Sequence, residues 1–116
     1  MDWTILYDEA VLGDLKKIGQ GDRLRIKKYL DKLHAECAHP SERGEPYRHE
    51  LKGFWKYRVG NYRVICTIED GALTVLCVMM VAHRSESYGT KNIRELFSRG
   101  EELEERIKEM MKDGIK

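Results

Sequence analysis

Side chains that could hold a phosphate are concentrated in one stretch of this sequence. Between residues 43 and 63 there are six lysines and arginines but only two carboxylates, Glu45 and Glu50. The six cations are Arg43, Arg48, Lys52, Lys56, Arg58 and Arg63. The whole chain has a formal net charge of only +1, so its basicity is local. Because clustered cations focus an anionic ligand, this stretch is the first candidate for a binding site.

A β-hairpin over residues 54–68 is predicted to hold three of these cations. Gly60-Asn61 suits a two-residue turn, which places Arg58 directly opposite Arg63. Side chains alternate along a strand, so Lys56, Arg58 and Arg63 share one face, here called the cationic face. The opposite face carries Trp55, Tyr57, Val59, Tyr62, Val64 and Cys66. Like charges directly opposite each other are destabilising, and no carboxylate is expected among these three. We therefore predict that an external anion, a phosphate chain, completes the site.

The next strand extends the cationic face toward the C-terminus. Residues 72–82 are apolar on both faces, which is typical of a central strand. If Asp70-Gly71 forms a two-residue loop, Arg63 lies opposite Val78, and the face continues to Arg84. His83 then points to the opposite face of the sheet. A register shift of one residue would invert the assignment.

The N-terminal half predicts one strand and two helices. Trp3 to Tyr7 is strand-like, and Asp8 is a candidate N-cap for the first helix. Asp22 is the candidate cap of the second helix. The first helix has an apolar stripe of Val11, Leu12, Leu15 and Ile18, and the second has Ile26, Tyr29, Leu30, Leu33 and Cys37. Residues 38–46 are loop by composition, and 47–51 are predicted to be a short extended piece.

The tail from Thr90 has the pattern of an amphipathic helix. Its apolar stripe is Ile93, Leu96, Phe97, Leu103, Ile107, Met110 and Met111. We expect it to pack on its own domain or on a second copy, with an enlarged surface for binding a partner protein as the alternative. The predicted fold class is therefore α+β: an N-terminal strand, two helices, an antiparallel three-stranded meander completing a small sheet, and a C-terminal amphipathic helix. We assign residues 1–89 to one domain and residues 90–116 to a helical extension without independent folding.

Composition limits the class of protein. With 116 residues, 41% hydrophobic and 35% charged, the chain is a globular domain rather than a disordered one or a polybasic nucleic-acid coat. Three cysteines without CxxC spacing are expected to be reduced core thiols of a cytoplasmic protein. No stretch predicts a membrane span or a leader, so no membrane contact is expected. No metal-ligand motif is present, and neither a metal nor another cofactor is predicted.

At the hairpin and the stretch after residue 80, the sequence resembles the RelE/ParE toxin superfamily, in particular its RelE-like mRNA interferases of type II toxin–antitoxin systems. The matching pieces are Leu51-Lys-Gly53, then Trp55 to Val64, then Val81-Ala-His-Arg84 followed by Tyr88. The order of elements agrees as well, and the resemblance covers roughly residues 1–88. It implies a small α/β toxin that cleaves mRNA, usually in the ribosomal A site, and is neutralised by a cognate antitoxin that wraps it. A homodimer and a toxin–antitoxin hetero-oligomer both remain open.

The resemblance also implies a set of catalytic residues, taken from the positions in this sequence that match the family's motifs. It consists of Lys56, Arg58, Arg63, Arg84 and Tyr88. In cleavage by the RNA 2′-hydroxyl, Arg58 and Arg63 would stabilise the charge that grows on the phosphoryl oxygens. Lys56 would position the backbone, and Arg84 would serve near the leaving oxygen. Arg58 stands where some members have lysine, and it cannot act as a base.

The proton-transfer groups stay open among three residues. Tyr88 would need a lowered pKa to act as base. A related branch of the superfamily uses a glutamate before a proline and a C-terminal histidine, which Glu45-Pro46 and, loosely, His83 resemble. Lys52 and Arg48 are predicted RNA contacts.

Two other functions remain open on the sequence alone. One is a ParE-like toxin that poisons DNA gyrase without cleaving nucleic acid. The other is a non-catalytic RNA- or protein-binding member of the fold.

Overall fold

Five strands form one sheet, with helices on both of its faces. The computed structural model of the chain describes residues 2–86 and 90–114. The strands are β1 (Trp3–Tyr7), β2 (Glu45–Pro46), β3 (Phe54–Val59), β4 (Tyr62–Asp70) and β5 (Thr74–His83), and the helices are α1 (Glu9–Lys16), α2 (Gln20–Glu36) and α3 (Thr90–Gly114). The sheet order is β1-β5-β4-β3-β2, with β1 parallel to β5 and the other pairs antiparallel. The predicted α+β class is confirmed, and the short edge strand β2 is an addition to it.

The two N-terminal helices begin at different kinds of cap. Asp8 caps α1 as predicted, because its Oδ2 accepts a hydrogen bond from the Ala10 N–H at 3.1 Å. The prediction that Asp22 caps α2 was wrong. That helix begins at Gln20 after an extended Gly19, and Asp22 lies in its first turn, where a carboxylate favours the helix dipole.

Helices α1 and α2 cover one face of the sheet. The buried core there includes Val11, Leu30 and Leu33 from the helices and Tyr57 and Val64 from the hairpin. The predicted stripe of α2 is confirmed. The prediction was wrong for one member of the α1 stripe, since Leu12 is 61% exposed. The eight-residue helix α1 buries only a narrow part of its surface against the sheet.

The β3–β4 hairpin has the predicted turn and register. Arg58 pairs with Arg63 across the strands, and Gly60 has a φ of +59°, in the left-handed region that glycine adopts at little cost. The apolar face of the hairpin packs toward α1 and α2, whereas Ile65 on the cationic face belongs to a second core.

The predicted register between β4 and β5 was wrong. The loop contains residues 71–73, so Arg63 pairs with Ala82 rather than Val78. A bulge follows: Ile65 pairs with Met80 and Cys66 pairs with Val78, which leaves Met79 without a partner residue. Because the bulge reverses the alternation of faces, Val78 packs under α1 and α2, opposite to the cationic face.

Helix α3 packs on the other face of the sheet, the one that carries the cations. Leu96 is buried there, and Ile93 and Leu103 pack beside it against a core that includes Ile65 and Met80. The helix runs without a break through Gly100.

A buried arginine joins α3 to α1 and β5. Arg99 donates two hydrogen bonds to the Asp14 carboxylate, at 2.7 and 3.0 Å, and one to the Met79 carbonyl at 2.9 Å. Asp14 also accepts from the Val81 N–H at 3.0 Å. The carbonyl of Met79, the extra residue of the bulge, therefore has its hydrogen-bond partner on α3.

The segment between α2 and β3 is more structured than predicted. The predicted loop 38–46 contains a 3₁₀ turn, Pro40–Arg43, as well as β2. Residues 49–51 form a second 3₁₀ turn rather than an extended piece, and His49 has a φ of +58°.

The three cysteines are buried and free, and burial raises the pKa of the Cys66 thiol well above its usual value. Within residues 2–86 and 90–114, no helix is both long and apolar enough to cross a membrane.

Candidate functional site

The predicted catalytic cations gather on one end of the sheet. Lys56 and Arg58 come from β3 and Arg63 from β4, and strand alternation places all three on one face. Arg58 is exposed and Arg63 is half-buried, whereas the Lys56 side chain is only 13% exposed. The hairpin thus holds two guanidinium groups opposite each other, beside a lysine whose stem is packed.

One carboxylate lies among these cations, contrary to the expectation of none. Strand β2 pairs with β3 so that Glu45 is opposite Lys56. Glu45 Oε1 lies 3.0 Å from Arg58 Nε, and Oε2 lies 4.0 Å from Lys56 Nζ. Glu45 is therefore the intramolecular counter-ion of the site, and an incoming phosphate would compete with it for Arg58.

Arg63 is oriented by the hairpin turn. Its Nη1 donates to the carbonyls of Gly60 and Tyr62, at 3.2 and 2.9 Å. These two bonds use one nitrogen of a group with five N–H donors, so the side chain is positioned and keeps donors for a ligand.

Arg84 is held beside the same turn by its backbone. Its N–H donates to the Asn61 carbonyl at 2.8 Å, which continues the β4–β5 ladder by one step beyond β5. The side chain is exposed. By strand alternation from Ala82 its Cβ belongs to the cationic face, at the end where the hairpin turns. Tyr88, predicted to be the functional tyrosine, lies outside the described residues.

His83 lies on the opposite face, as its position in the strand predicted. Its ring packs edge-on against Tyr62, with ring centroids 5.5 Å apart. Its Nδ1 accepts from the Ser85 N–H at 3.2 Å and lies 2.8 Å from Ser85 Oγ. The sheet therefore separates this imidazole from Lys56 and Arg58, which weakens its candidacy as an acid for chemistry on the cationic face.

Lys56 also belongs to a small cavity beside the site. Its Nζ lies 5.3 Å from the centroid of the buried Tyr47 ring, a cation–π contact. The cavity has a volume of about 400 Å³, and Arg48 lines it together with Tyr47 and Lys56. Lys52 is exposed at the end of the second 3₁₀ turn.

A larger cleft of about 920 Å³ lies between α1, the end of β5 and α3. Its lining carboxylates are Asp14, Glu86 and Glu95, against Lys17 and Arg99. An anionic lining repels a phosphate chain, so size alone does not make this cleft the site of the chemistry predicted from the sequence.

Sequence reasoning missed two contributors near the site. Tyr47 was placed in an extended piece and given no role, although its ring supports Lys56. Ile93 was assigned to a helical stripe that packs on its own domain or on a second copy, and it borders the cavity next to Lys56. Only the tertiary fold brings Ile93 next to Lys56, because Ile93 lies 37 residues further along the chain.

Comparison with known proteins identifies relatives of the chain. The model of the ParE toxin family of type II toxin–antitoxin systems, parDE, matches residues 5–88. Toxin RelE of Mycobacterium tuberculosis (strain ATCC 25618 / H37Rv) is 32% identical over 72 residues, an alignment that spans 54% of this chain and 73% of that protein.

Solved structures of similar fold agree. A chain in the toxin–antitoxin complex RelBE2 of M. tuberculosis superposes with a TM-score of 0.63 at 27% identity, covering 72% of this chain and all of that one. A mutant of E. coli toxin RelE in the free state gives a TM-score of 0.60 at 22% identity, covering 85% of this chain and 98% of that one. Because the E. coli toxin RelE mutant is only 22% identical, its similarity shows a shared fold and nothing more.

Proposed function

The chain belongs to the ParE toxin family of type II toxin–antitoxin systems, within the RelE/ParE superfamily, and from that premise we propose that it is an mRNA-cleaving endoribonuclease that acts at the ribosomal A site. The observation that carries the proposal is the cross-strand pair Arg58–Arg63 beside Lys56, on one face of a hairpin. Two like charges held opposite each other cost stability unless an anion joins them. Glu45 is such an anion for Arg58, and in the proposal the RNA phosphate takes its place and contacts Arg58 and Arg63 together.

The proposed chemistry uses the 2′-hydroxyl of the substrate as nucleophile. Arg58 and Arg63 stabilise the negative charge that develops on the phosphoryl oxygens, because guanidinium groups bind such oxygens with two parallel hydrogen bonds. Lys56 holds the adjacent backbone. Arg84, at the hairpin turn, serves near the departing 5′-oxygen. No metal is required for this sequence of steps.

Glu45 is the base candidate that the geometry supports best among the described residues. It lies between Arg58 and Lys56, where a bound phosphate would sit. Displacement from Arg58 by the phosphate would release the carboxylate to take the 2′-hydroxyl proton. Tyr88 remains the other candidate.

We further propose that a cognate antitoxin neutralises the toxin in the cytoplasm, with mRNA on the ribosome as the substrate. The RelBE2 relative was solved as a toxin–antitoxin complex, which supports such a partner. Residues 90–116 are proposed to belong to the same functional unit as residues 1–89. The buried Arg99–Asp14 contact between α3 and α1 supports this view.

A gyrase-poisoning toxin is the second candidate, because the matching family model describes ParE. Such a toxin needs a protein-binding surface but no phosphate clamp. Under this alternative the cationic face would have no catalytic role, and its variants would retain toxicity.

One experiment separates the two candidates. The wild type and Arg63→Ala are induced in cells, and mRNA 5′ ends are mapped on translated and untranslated copies of one transcript. Cuts that require translation and disappear in Arg63→Ala would support the nuclease. Arg23→Ala, an exposed change on α2, is the matched control and should cut like the wild type. Growth arrest with intact mRNA and a DNA-damage response would overturn the nuclease proposal in favour of gyrase.

A further inference from the structure

The cavity beside Lys56 has the walls of a small-ligand pocket. Its volume of about 400 Å³ falls within the usual range for such pockets, roughly 300–1,000 Å³. Tyr47 and Leu51, which are 8% and 5% exposed, are its buried apolar members. Ile93 of α3 and Pro46 of β2 line it as well. The extension beyond residue 89 therefore supplies part of the cavity.

Polar side chains complete the lining. Arg48, His49 and Glu50 are exposed, consecutive residues that all line the cavity. Three consecutive side chains do not share one side of a regular strand. Here His49 has a left-handed φ of +58°, a backbone conformation that is uncommon outside glycine and concentrates at functional sites.

This combination suits a nucleobase. A base has flat apolar faces, which fit apolar walls, and polar edges, which need donors and acceptors at the rim. Lys56 joins the cavity to the cationic face, because its Nζ lies 4.0 Å from Glu45 Oε2 and it also lines the cavity. A nucleotide with its base in the cavity would thus place its phosphate beside Arg58 and Glu45.

We propose that the cavity binds the base of the nucleotide next to the cleaved phosphate, and that Glu50 favours bases with an amino group. Glu50 is the one carboxylate that lines the cavity among the described residues, and a carboxylate accepts hydrogen bonds but donates none. Adenine, cytosine and guanine each offer an exocyclic amino group with two N–H donors, whereas the only base donor of a uridine nucleotide is the single ring N3–H. The inference rests on the proposed nuclease function for its substrate class, and it predicts a sequence preference for that activity.

Binding of ribonucleoside 5′-monophosphates to the purified full-length chain tests the proposal without cleavage. We expect AMP, CMP and GMP to bind about tenfold more tightly than UMP. Glu50→Gln should reduce that ratio to roughly twofold or less, because an amide can donate to the uracil carbonyls as well as accept. Glu50 is exposed, so this variant should fold normally, which thermal denaturation would verify.

A second pair of variants tests the place of binding. Ile93→Trp, which fills the cavity from α3, should weaken all four nucleotides at least fivefold. Phe97→Trp, on the same helix but 40% exposed and outside the cavity lining, is the control and should bind like the wild type. Equal binding of the four nucleotides by the wild type, or unchanged binding by Ile93→Trp, would overturn the proposal.

The outcomes distinguish this inference from the function on which it rests. Nucleotide discrimination lost in Glu50→Gln, with intact mRNA in induced cells, would keep the cavity and reject the nuclease. Cleavage in cells without nucleotide discrimination would keep the nuclease and reject the cavity.

Discussion

Arg99 is the position at which a single change should reveal how firmly α3 is joined to the sheet. The Arg99 and Asp14 side chains are 9% and 12% exposed, and the guanidinium meets the carboxylate through two hydrogen bonds. Arg99→Met keeps the length and apolar stem of the side chain and removes its donors. Asp14 then keeps the Val81 N–H but loses its counter-charge, and the Met79 carbonyl loses its side-chain partner.

The expected loss in the free energy of unfolding is about 3–5 kcal/mol at pH 7. Removing one partner of a buried ion pair costs roughly 3–5 kcal/mol, because the remaining charge is buried and uncompensated.

Urea unfolding followed by far-UV circular dichroism measures the effect at pH 7. Arg94→Met, an exposed change on the same helix, is the control and should lie within about 0.5 kcal/mol of the wild type. Adding Asp14→Asn to Arg99→Met should restore about 1–3 kcal/mol, since the amide still accepts from Val81 and carries no charge. A loss below 1 kcal/mol, or a double variant no more stable than Arg99→Met, would refute the reasoning.

Three further predictions follow from other features. Gly60→Ala should lower the free energy of unfolding by about 1–2 kcal/mol, because φ is +59° there, and an unchanged urea midpoint would contradict it. Hydrogen bonds, first from His39 and then from Thr74, hold the pKa of Asp70 in the folded protein below its usual value. These bonds therefore stabilise the fold fully above the pKa of an unfolded aspartate, about 3.9, and that stabilisation is lost as the pH falls through the pKa of Asp70 in the folded protein. Asp70→Asn should therefore flatten the fall in melting temperature below about pH 4, and a parallel pair of curves would count against this. Glu45→Gln should tighten binding of a 2′-O-methyl RNA by roughly threefold at low salt, as expected for removing one negative charge some 6 Å from the RNA phosphate. Weaker binding by this variant would exclude Glu45 as the counter-ion of the cationic face.

Local turn chemistry explains why the hairpin could be predicted in detail. Gly60-Asn61 admits few alternatives, and alternation then assigns every side chain of β3 and the first half of β4 to a face. The turn and the alternation of side chains are enough to place Lys56, Arg58 and Arg63 on the same face of the sheet.

The β4–β5 register could not be predicted because two local irregularities displace it. The loop has three residues rather than two, and the bulge at Met79 inserts one more. Neither irregularity can be recognised from the sequence, because residues 72–82 are apolar on both faces and show no alternation that a shift would disturb. Arg84 still reaches the hairpin turn, because strand β5 ends next to Asn61 in the observed register.

Long-range partners were the least accessible part of the site. Glu45 reaches Arg58 through a two-residue strand, which is too short to show a periodic pattern. Arg99 did carry a signal, since it lies three residues after Leu96 and four before Leu103 on the apolar stripe of α3. An arginine in that place needs a buried acceptor, but the sequence does not say that Asp14 supplies it.

The parallel pairing of β1 with β5 sets the order in which a nascent chain can assemble. Trp3 is aligned with Thr74, so β1 has to wait for the synthesis of its partner β5. At roughly 5–20 residues per second, that wait is about 4–14 s. The β3–β4 hairpin exists earlier in the sequence, but an isolated hairpin is only marginally stable in water. The sheet that carries the cationic face can therefore be completed only after β5 has been synthesised.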